Sequence, residues 1–118
     1  MATPKQQSLN ENISYKEATV ADTATVSSSI QLNGAKLIAI HFPASMTSSS
    51  FDVQESADNS TWEDIYDNAG VKLTCAVTSS SKAYFNPQDV AHISGYIRLN
   101  NGSAESGAKT IQIDLRPL

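Results

Sequence analysis

The chain has 118 residues, a net charge of −4 at pH 7 and one cysteine. Its eight lysines and arginines are scattered, so no basic patch is available for nucleic acid or for an anionic membrane surface. One cysteine excludes an intrachain disulfide and a cysteine-rich zinc site, and the length favours a single domain.

The first twelve residues are polar, with one proline and a lone leucine. Such a segment buries too little apolar surface to offset the entropy of ordering it. We therefore predict a flexible N-terminal arm over residues 1–12 and a β-sandwich domain over residues 13–118. An arm that orders only against a neighbouring subunit is the alternative. The segment lacks the apolar core of a signal peptide, so we expect synthesis in the cytoplasm.

Short β-prone runs separated by turn signals follow. Residues 13–15 can open a first strand, and residues 18–30 hold one or two more. Asn33-Gly34 is a strong turn signal. Residues 36–42 are apolar at both odd and even positions, and these point to opposite faces of a strand. This pattern is typical of a central strand covered on both faces or of a strand at an interface. Pro43 ends this strand because proline cannot donate to the ladder.

The stretch from Phe51 to Asp67 predicts a strand, a turn and a second strand, and it carries the only tryptophan. If the second strand is regular, Trp62 and Tyr66 share one face and Ile65 lies on the other. A bulge would instead bring Trp62 and Ile65 to the same face. We favour Trp62 as a large core anchor, and an exposed tryptophan that stacks on sugar rings is the alternative.

The second half of the chain continues the β pattern. Residues 71–77 alternate apolar and polar side chains and form the clearest half-buried strand. Residues 88–94 follow an Asn-Pro turn and form a short helical turn or a loop. Residues 96–100 and 110–115 alternate again, so we predict a strand in each.

Seven to nine short strands with turn signals between them are typical of a sandwich or barrel rather than of alternating strands and helices. We therefore predict an all-β fold, a single antiparallel β-sandwich that is either jelly-roll-like or immunoglobulin-like.

No catalytic, cofactor-binding or metal-binding residues are predicted. His41 lies within an apolar strand and His92 within a loop, and two histidines without a spaced partner are weak support for a metal site. Cys75 lies on the apolar face of its strand, which indicates a small buried side chain rather than a nucleophile. The sequence contains no Gly-x-Ser-x-Gly elbow and no phosphate-binding glycine loop.

The stretch from Phe51 to Asp67 contains six carboxylates: Asp52, Glu55, Asp58, Glu63, Asp64 and Asp67. We interpret them as a solvated acidic edge that discourages aggregation. A weak cation site and a pair of catalytic carboxylates are the alternatives, although the spacing matches no EF-hand loop.

Three segments carry a family resemblance. They are residues 56–70 (SADNSTWEDIYDNAG), residues 96–99 (YIRL) after Pro87, and residues 110–116 (TIQIDLR). Their order resembles small β-sandwich structural proteins of tailed bacteriophages, over residues 35–117. The family often has glycine after the turn aspartate, whereas this chain has Asn59.

The resemblance implies a virion protein without an active site, with capsid cement or decoration protein as the favoured role. Its expected partners are the major capsid protein or other virion proteins and further copies of itself, without nucleic acid or membrane. A carbohydrate- or receptor-binding module of a head fibre or tail is the alternative, and a small hydrolase that uses the acidic cluster is a third hypothesis.

Overall fold

The computed structural model describes residues 14–101 and 103–117, and within them it contains nine β-strands and one short helix. The strands are β1 (Ser14–Val20), β2 (Ile30–Gln31), β3 (Lys36–His41), β4 (Ser50–Ser56), β5 (Glu63–Asp64), β6 (Thr74–Ala76), β7 (Lys82–Tyr84), β8 (Tyr96–Asn100) and β9 (Lys109–Arg116). The helix α1 is Pro87–Val90. The predicted arm, residues 1–12, lies outside the described residues.

The strands form two antiparallel sheets. The first sheet has the order β1-β9-β3-β7, and the second has the order β2-β8-β4-β5, with β6 also paired to β4. Because β5 and β6 pair with β4 one after the other, they act as one interrupted strand, and the count becomes eight. Apart from the hairpin that β4 makes with this interrupted strand, each connection crosses between the sheets. This is the strand order of a jelly roll, so the predicted all-β sandwich is confirmed in its jelly-roll form and the immunoglobulin-like alternative is wrong.

One hydrophobic core fills the space between the sheets. Ile111, Ile113 and Leu115 of β9 are buried, as their alternation predicted. Phe51 of the second sheet stacks on Phe42, which follows β3 of the first, with 6.1 Å between ring centroids. No helix among the described residues is long and apolar enough to cross a membrane.

A β-bulge explains why β3 has apolar side chains at both odd and even positions. The register of β3 against β9 shifts between Leu37 and Ala39, which leaves Ile38 as an extra residue. Leu37 and Ile40 are therefore both buried in the core although they are three positions apart. The predicted central position is confirmed, since β3 lies between β9 and β7, but the bulge, and not cover on both faces, accounts for the apolar pattern.

Two turns use the left-handed backbone region that asparagine and glycine favour. Asn33 and Gly34 have φ angles of 53° and 84°, and the carbonyl of Leu32 accepts a hydrogen bond from the Ala35 amide at 3.0 Å. The Asn-Gly pair predicted a turn here, and its backbone angles make it type I′. Asn59 has a φ angle of 61°, so it occupies a conformation that glycine also adopts.

Of the two structures predicted for residues 88–94, a short helical turn or a loop, the structure has a helical turn over Pro87–Val90. Asn86 caps it by accepting a hydrogen bond from the Gln88 amide at 3.1 Å, and Pro87 occupies its first turn. Val90 and Ile93 are buried, so this segment packs onto the core.

The strand predicted over residues 71–77 is shorter than expected. Residues 74–76 pair with β4, and the Leu73 carbonyl accepts one further hydrogen bond from the Val53 amide. Residues 65–73 otherwise form a separate loop, here called the excursion. A bridge between Tyr66 and Lys72 closes the excursion. Cys75 is buried as predicted, but Val71 is 62% exposed, because the chain has left the sheet at that point.

A buried carboxylate joins the loops at one end of the sandwich. Glu105 is 1% exposed and accepts hydrogen bonds from the amides of Thr47 at 3.0 Å and Ser48 at 2.9 Å, and from the Ser48 hydroxyl. Its backbone bonds to Thr23 and Ala24. Burial by itself raises the pKa of Glu105, but these hydrogen bonds outweigh it and hold the pKa below its ordinary value.

Candidate interaction surfaces

The two histidines considered for metal binding do not converge. His41 Nε2 lies 2.8 Å from Asp114 Oδ2 on the outer face of the first sheet, whereas His92 is exposed after α1. Across residues 14–101 and 103–117, no group of three or more His, Cys, Asp or Glu side chains is placed to hold a metal ion. Burial raises the pKa of the Cys75 thiol to about 11, as expected of an unreactive cysteine.

Most of the six carboxylates have specific structural partners. Asp52 and Asp64 lie 3.4 and 3.6 Å from Lys72 Nζ. Asp58 accepts hydrogen bonds from the amides of Thr61 and Ser60, which close the loop before β5 and lower its pKa. The interpretation as a solvated acidic edge is therefore too simple for these three residues.

Two further carboxylates also accept backbone hydrogen bonds. Asp67 accepts them from the amides of Ala69 and Val71, and Glu55 accepts one from Ser94. Only the Glu63 side chain among the six has no hydrogen bond or ion pair within the described part of the chain, so the solvated-edge interpretation suits it.

Trp62 lies outside the core. Its ring is half-buried, and the guanidinium of Arg98 lies over it with Cζ 4.5 Å from the centroid. Arg98 and Gln54 share a row of the second sheet, and Arg98 Nε donates to Gln54 Oε1 at 2.8 Å. Gln54 Nε2 in turn donates to Asp64 Oδ1 at 2.9 Å. The favoured interpretation of Trp62 as a core anchor is wrong.

Trp62 lies outside the core because side chains alternate regularly between the two faces after it. Ile65 is buried in the core and Tyr66 is 53% exposed, so the two residues point to opposite sides, as the regular-strand alternative predicted. An arginine on the polar face of the neighbouring strand then covers the indole by a cation–π contact. No local pattern in the sequence indicates the register that places Arg98 beside Trp62.

A cleft of about 570 Å³ lies between the excursion and α1. Tyr66 and Val71 line it from the excursion, and Gln88 and His92 line it from the helical side. Tyr66 and Val71 are two of the four large hydrophobic side chains that are exposed in the described residues. The cleft therefore combines apolar surface with polar groups at its rim.

The other two exposed large side chains, both tyrosines, lie on the outer face of the first sheet. One row across this sheet runs Tyr15, Asp114, Ala39, Tyr84, and the next runs Glu17, Gln112, His41, Lys82. Tyr15 is 59% exposed and Tyr84 is 77% exposed. We call these two rows the tyrosine face. It was not predicted from the sequence, although the alternation of Tyr15 and Glu17 with buried Ala18 and Val20 indicates an outward-facing set.

Asp114 is the buried centre of the tyrosine face. Gln112 Nε2 donates to its Oδ1 at 3.0 Å, and Lys82 Nζ lies 3.7 Å from its Oδ2. Burial by itself raises the pKa of Asp114, but the hydrogen bonds from Gln112 and His41 outweigh it, and the pKa lies below its ordinary value. The carboxylate is therefore charged and fully partnered at neutral pH.

Comparison with known proteins gives a solved structure with the same fold. No protein-family model matches the sequence, and no curated protein matches it. The crystal structure of SPBc2 prophage-derived protein YomS is similar with a TM-score of 0.50 and 9% sequence identity. The similarity covers 87% of this chain and 93% of that one. At this identity the likeness shows a shared fold, and the fold is one that a prophage-derived protein also uses.

Proposed function

We propose that this chain is a non-enzymatic structural protein of a phage virion. In this proposal it is made in the host cytoplasm and acts as a capsid cement or decoration protein that binds the major capsid protein or other virion proteins. The observation that carries the proposal is the overlap of nearly the whole jelly roll with SPBc2 prophage-derived protein YomS. The resemblance of residues 56–70, 96–99 and 110–116 to phage structural proteins supports the same assignment.

The proposed mechanism is added interface area. A protein that binds the assembled shell and not its separated subunits stabilises the shell by mass action. The excursion supplies a contact surface for the shell, because Tyr66 and Val71 expose apolar area beside a cleft. Of the two, Tyr66 is the stronger candidate anchor, because tyrosine is enriched in protein interfaces and among the residues that contribute most to binding.

The test compares purified phage particles with and without the protein under heating or low-salt stress. We expect the protein to co-purify with the particles in a fixed copy number and to raise the temperature at which they release DNA. Absence from the particles, or equal stability of the two preparations, overturns the proposal.

Val71→Asp tests the contact surface. A buried carboxylate in the contact lowers occupancy on the particles, whereas Ser103→Asp, in the loop before β9, leaves occupancy unchanged. Equal occupancy of both variants would show that the excursion is not the contact surface. The comparison of particles with and without the protein would still test the virion role.

Trp62 favours a second candidate function. Its half-buried indole lies beside Arg98 and Asp64 on the outer face of the second sheet, an arrangement of aromatic and polar groups that suits a sugar ring. The protein would then be a carbohydrate- or receptor-binding module of a head fibre or tail. Titration with host cell-surface saccharides should change Trp62 fluorescence in a saturable way if this is correct, and a flat titration excludes it for the sugars used.

A further inference from the structure

The tyrosine face has complementary groups at its two ends. Glu17 lies on edge strand β1 and Lys82 lies on edge strand β7, in the same row. Tyr15 and Tyr84 occupy the ends of the neighbouring row. We propose that the tyrosine faces of two copies of this chain pack against each other about a twofold axis parallel to the strands. This inference does not depend on the proposed virion role.

The geometry follows from the register. A twofold axis that runs between β9 and β3 turns each row over, so that the β1 end of one copy meets the β7 end of the other. Tyr15 then opposes Tyr84 of the second copy, and Glu17 opposes Lys82 of the second copy. Each of these contacts occurs twice, as an isologous interface requires.

The groups at the ends of the rows are available for this contact. Glu17 is exposed and makes no ion pair within the described part of the chain. The Lys82 side chain is 35% exposed even though it lies near Asp114 and over the Tyr84 ring. Tyrosine is enriched in interfaces because it brings a large apolar body and a polar tip.

The centre of the face tolerates burial. Asp114 would oppose Ala39 of the second copy, and both residues are already covered by their own neighbours, at 7% and 1% exposed. Its carboxylate already has Gln112, His41 and Lys82 as partners, so packing would leave no unpaired charge.

The size of the face predicts a weak dimer. Four strands spaced about 4.8 Å apart, with a mean length of about six residues, give a flat footprint of about 400 Å² for each copy. Specific interfaces usually bury about 800 Å² on each partner, so this pairing lies at the low end. We therefore expect dimerisation that depends on protein concentration.

Charge reversal tests the pairing by sedimentation velocity over a concentration series. Glu17→Lys places two lysine side chains opposite each other in both symmetric contacts, and Lys82→Glu places two glutamate side chains opposite each other. Each variant should therefore weaken dimerisation at least about tenfold. Mixing the two variants restores two contacts of opposite charge, and we expect a heterodimer with roughly wild-type affinity. Glu63→Lys, with the same charge change on the other sheet, should dimerise like the wild type.

Thiol cross-linking tests the orientation. A short cross-linker should join the Tyr15→Cys variant to the Tyr84→Cys variant, and should not join two copies of Tyr15→Cys. Cys75 is buried and does not compete. Circular dichroism confirms that each variant is folded. A wild-type monomer at every concentration, a folded mixture that does not associate, or cross-links between two copies of Tyr15→Cys would each overturn the proposal.

Discussion

Arg98 covers the ring of Trp62, with its Cζ 4.5 Å from the centroid, while its Nε donates to Gln54 at 2.8 Å. One arginine therefore joins an aromatic group on the β5 side of the sheet to strand β4 and to its own strand, β8. The contact lies outside the core and shields one side of the only tryptophan from water.

Arg98→Ala should expose that side of Trp62. We expect its fluorescence emission to shift to longer wavelength, acrylamide quenching to increase, and the free energy of unfolding to fall by about 0.5–1 kcal/mol. Arg116→Ala removes an exposed arginine at the end of β9 and serves as the control. Unchanged quenching in Arg98→Ala would show that the arginine does not shield the ring in solution.

Two glycines of similar backbone conformation should respond differently to alanine. Gly34 and Gly95 have φ angles of 84° and 79°, but a Cβ at Gly95 would lie 2.6 Å from the Ser56 carbonyl oxygen, whereas one at Gly34 meets no atom within 4 Å. We expect Gly34→Ala to cost about 1 kcal/mol from backbone strain. Gly95→Ala should cost about 2–4 kcal/mol, because a clash with backbone adds to that strain. Urea unfolding of both variants measures the difference, and equal costs would contradict the close approach of Gly95 to β4.

Glu105 should make stability depend on pH. Its folded pKa lies below the value of about 4.3 expected in the unfolded chain, so the unfolded state binds the proton more readily. The stabilisation is therefore complete above that unfolded value and is lost as pH falls through the folded pKa. Thermal unfolding from pH 3 to pH 7 measures this, and Glu105→Gln should flatten part of the slope.

The remaining slope in Glu105→Gln belongs to the other carboxyls with lowered pKa values, Asp58 and Asp114. At pH 7 we expect this variant to lose about 1–3 kcal/mol, since charge-assisted hydrogen bonds from Thr47 and Ser48 become neutral ones or are lost. If the stability of this variant has the same pH dependence as that of the wild type, Glu105 does not act as a charged acceptor of these hydrogen bonds.

Cys75 should be unreactive in the folded protein. With a pKa of about 11, very little thiolate is present at pH 8, and the side chain is also buried. We expect a thiol reagent to modify the native chain at least about 100-fold more slowly than the urea-unfolded chain. Comparable rates would contradict the burial of β6 against the core.

Local patterns in the sequence predicted much of the fold. The alternation of Ile111, Ile113 and Leu115 identified β9, and Asn33-Gly34 identified a turn, because each pattern reflects a preference of the backbone within a few residues. The alternation that included Val71 was misleading, since a strand also needs a partner and the excursion has left β4 at that point.

The sequence by itself therefore determined the fold class, the parity of most strands and the buried character of Cys75. Tertiary structure alone decided the jelly-roll order, the bulge at Ile38 and the position of Trp62 outside the core. It also decided the rows of the tyrosine face, which join residues as far apart as Tyr15 and Tyr84. The reason is physical: side-chain alternation is local, whereas strand pairing and register depend on contacts between distant segments that no short window of sequence contains.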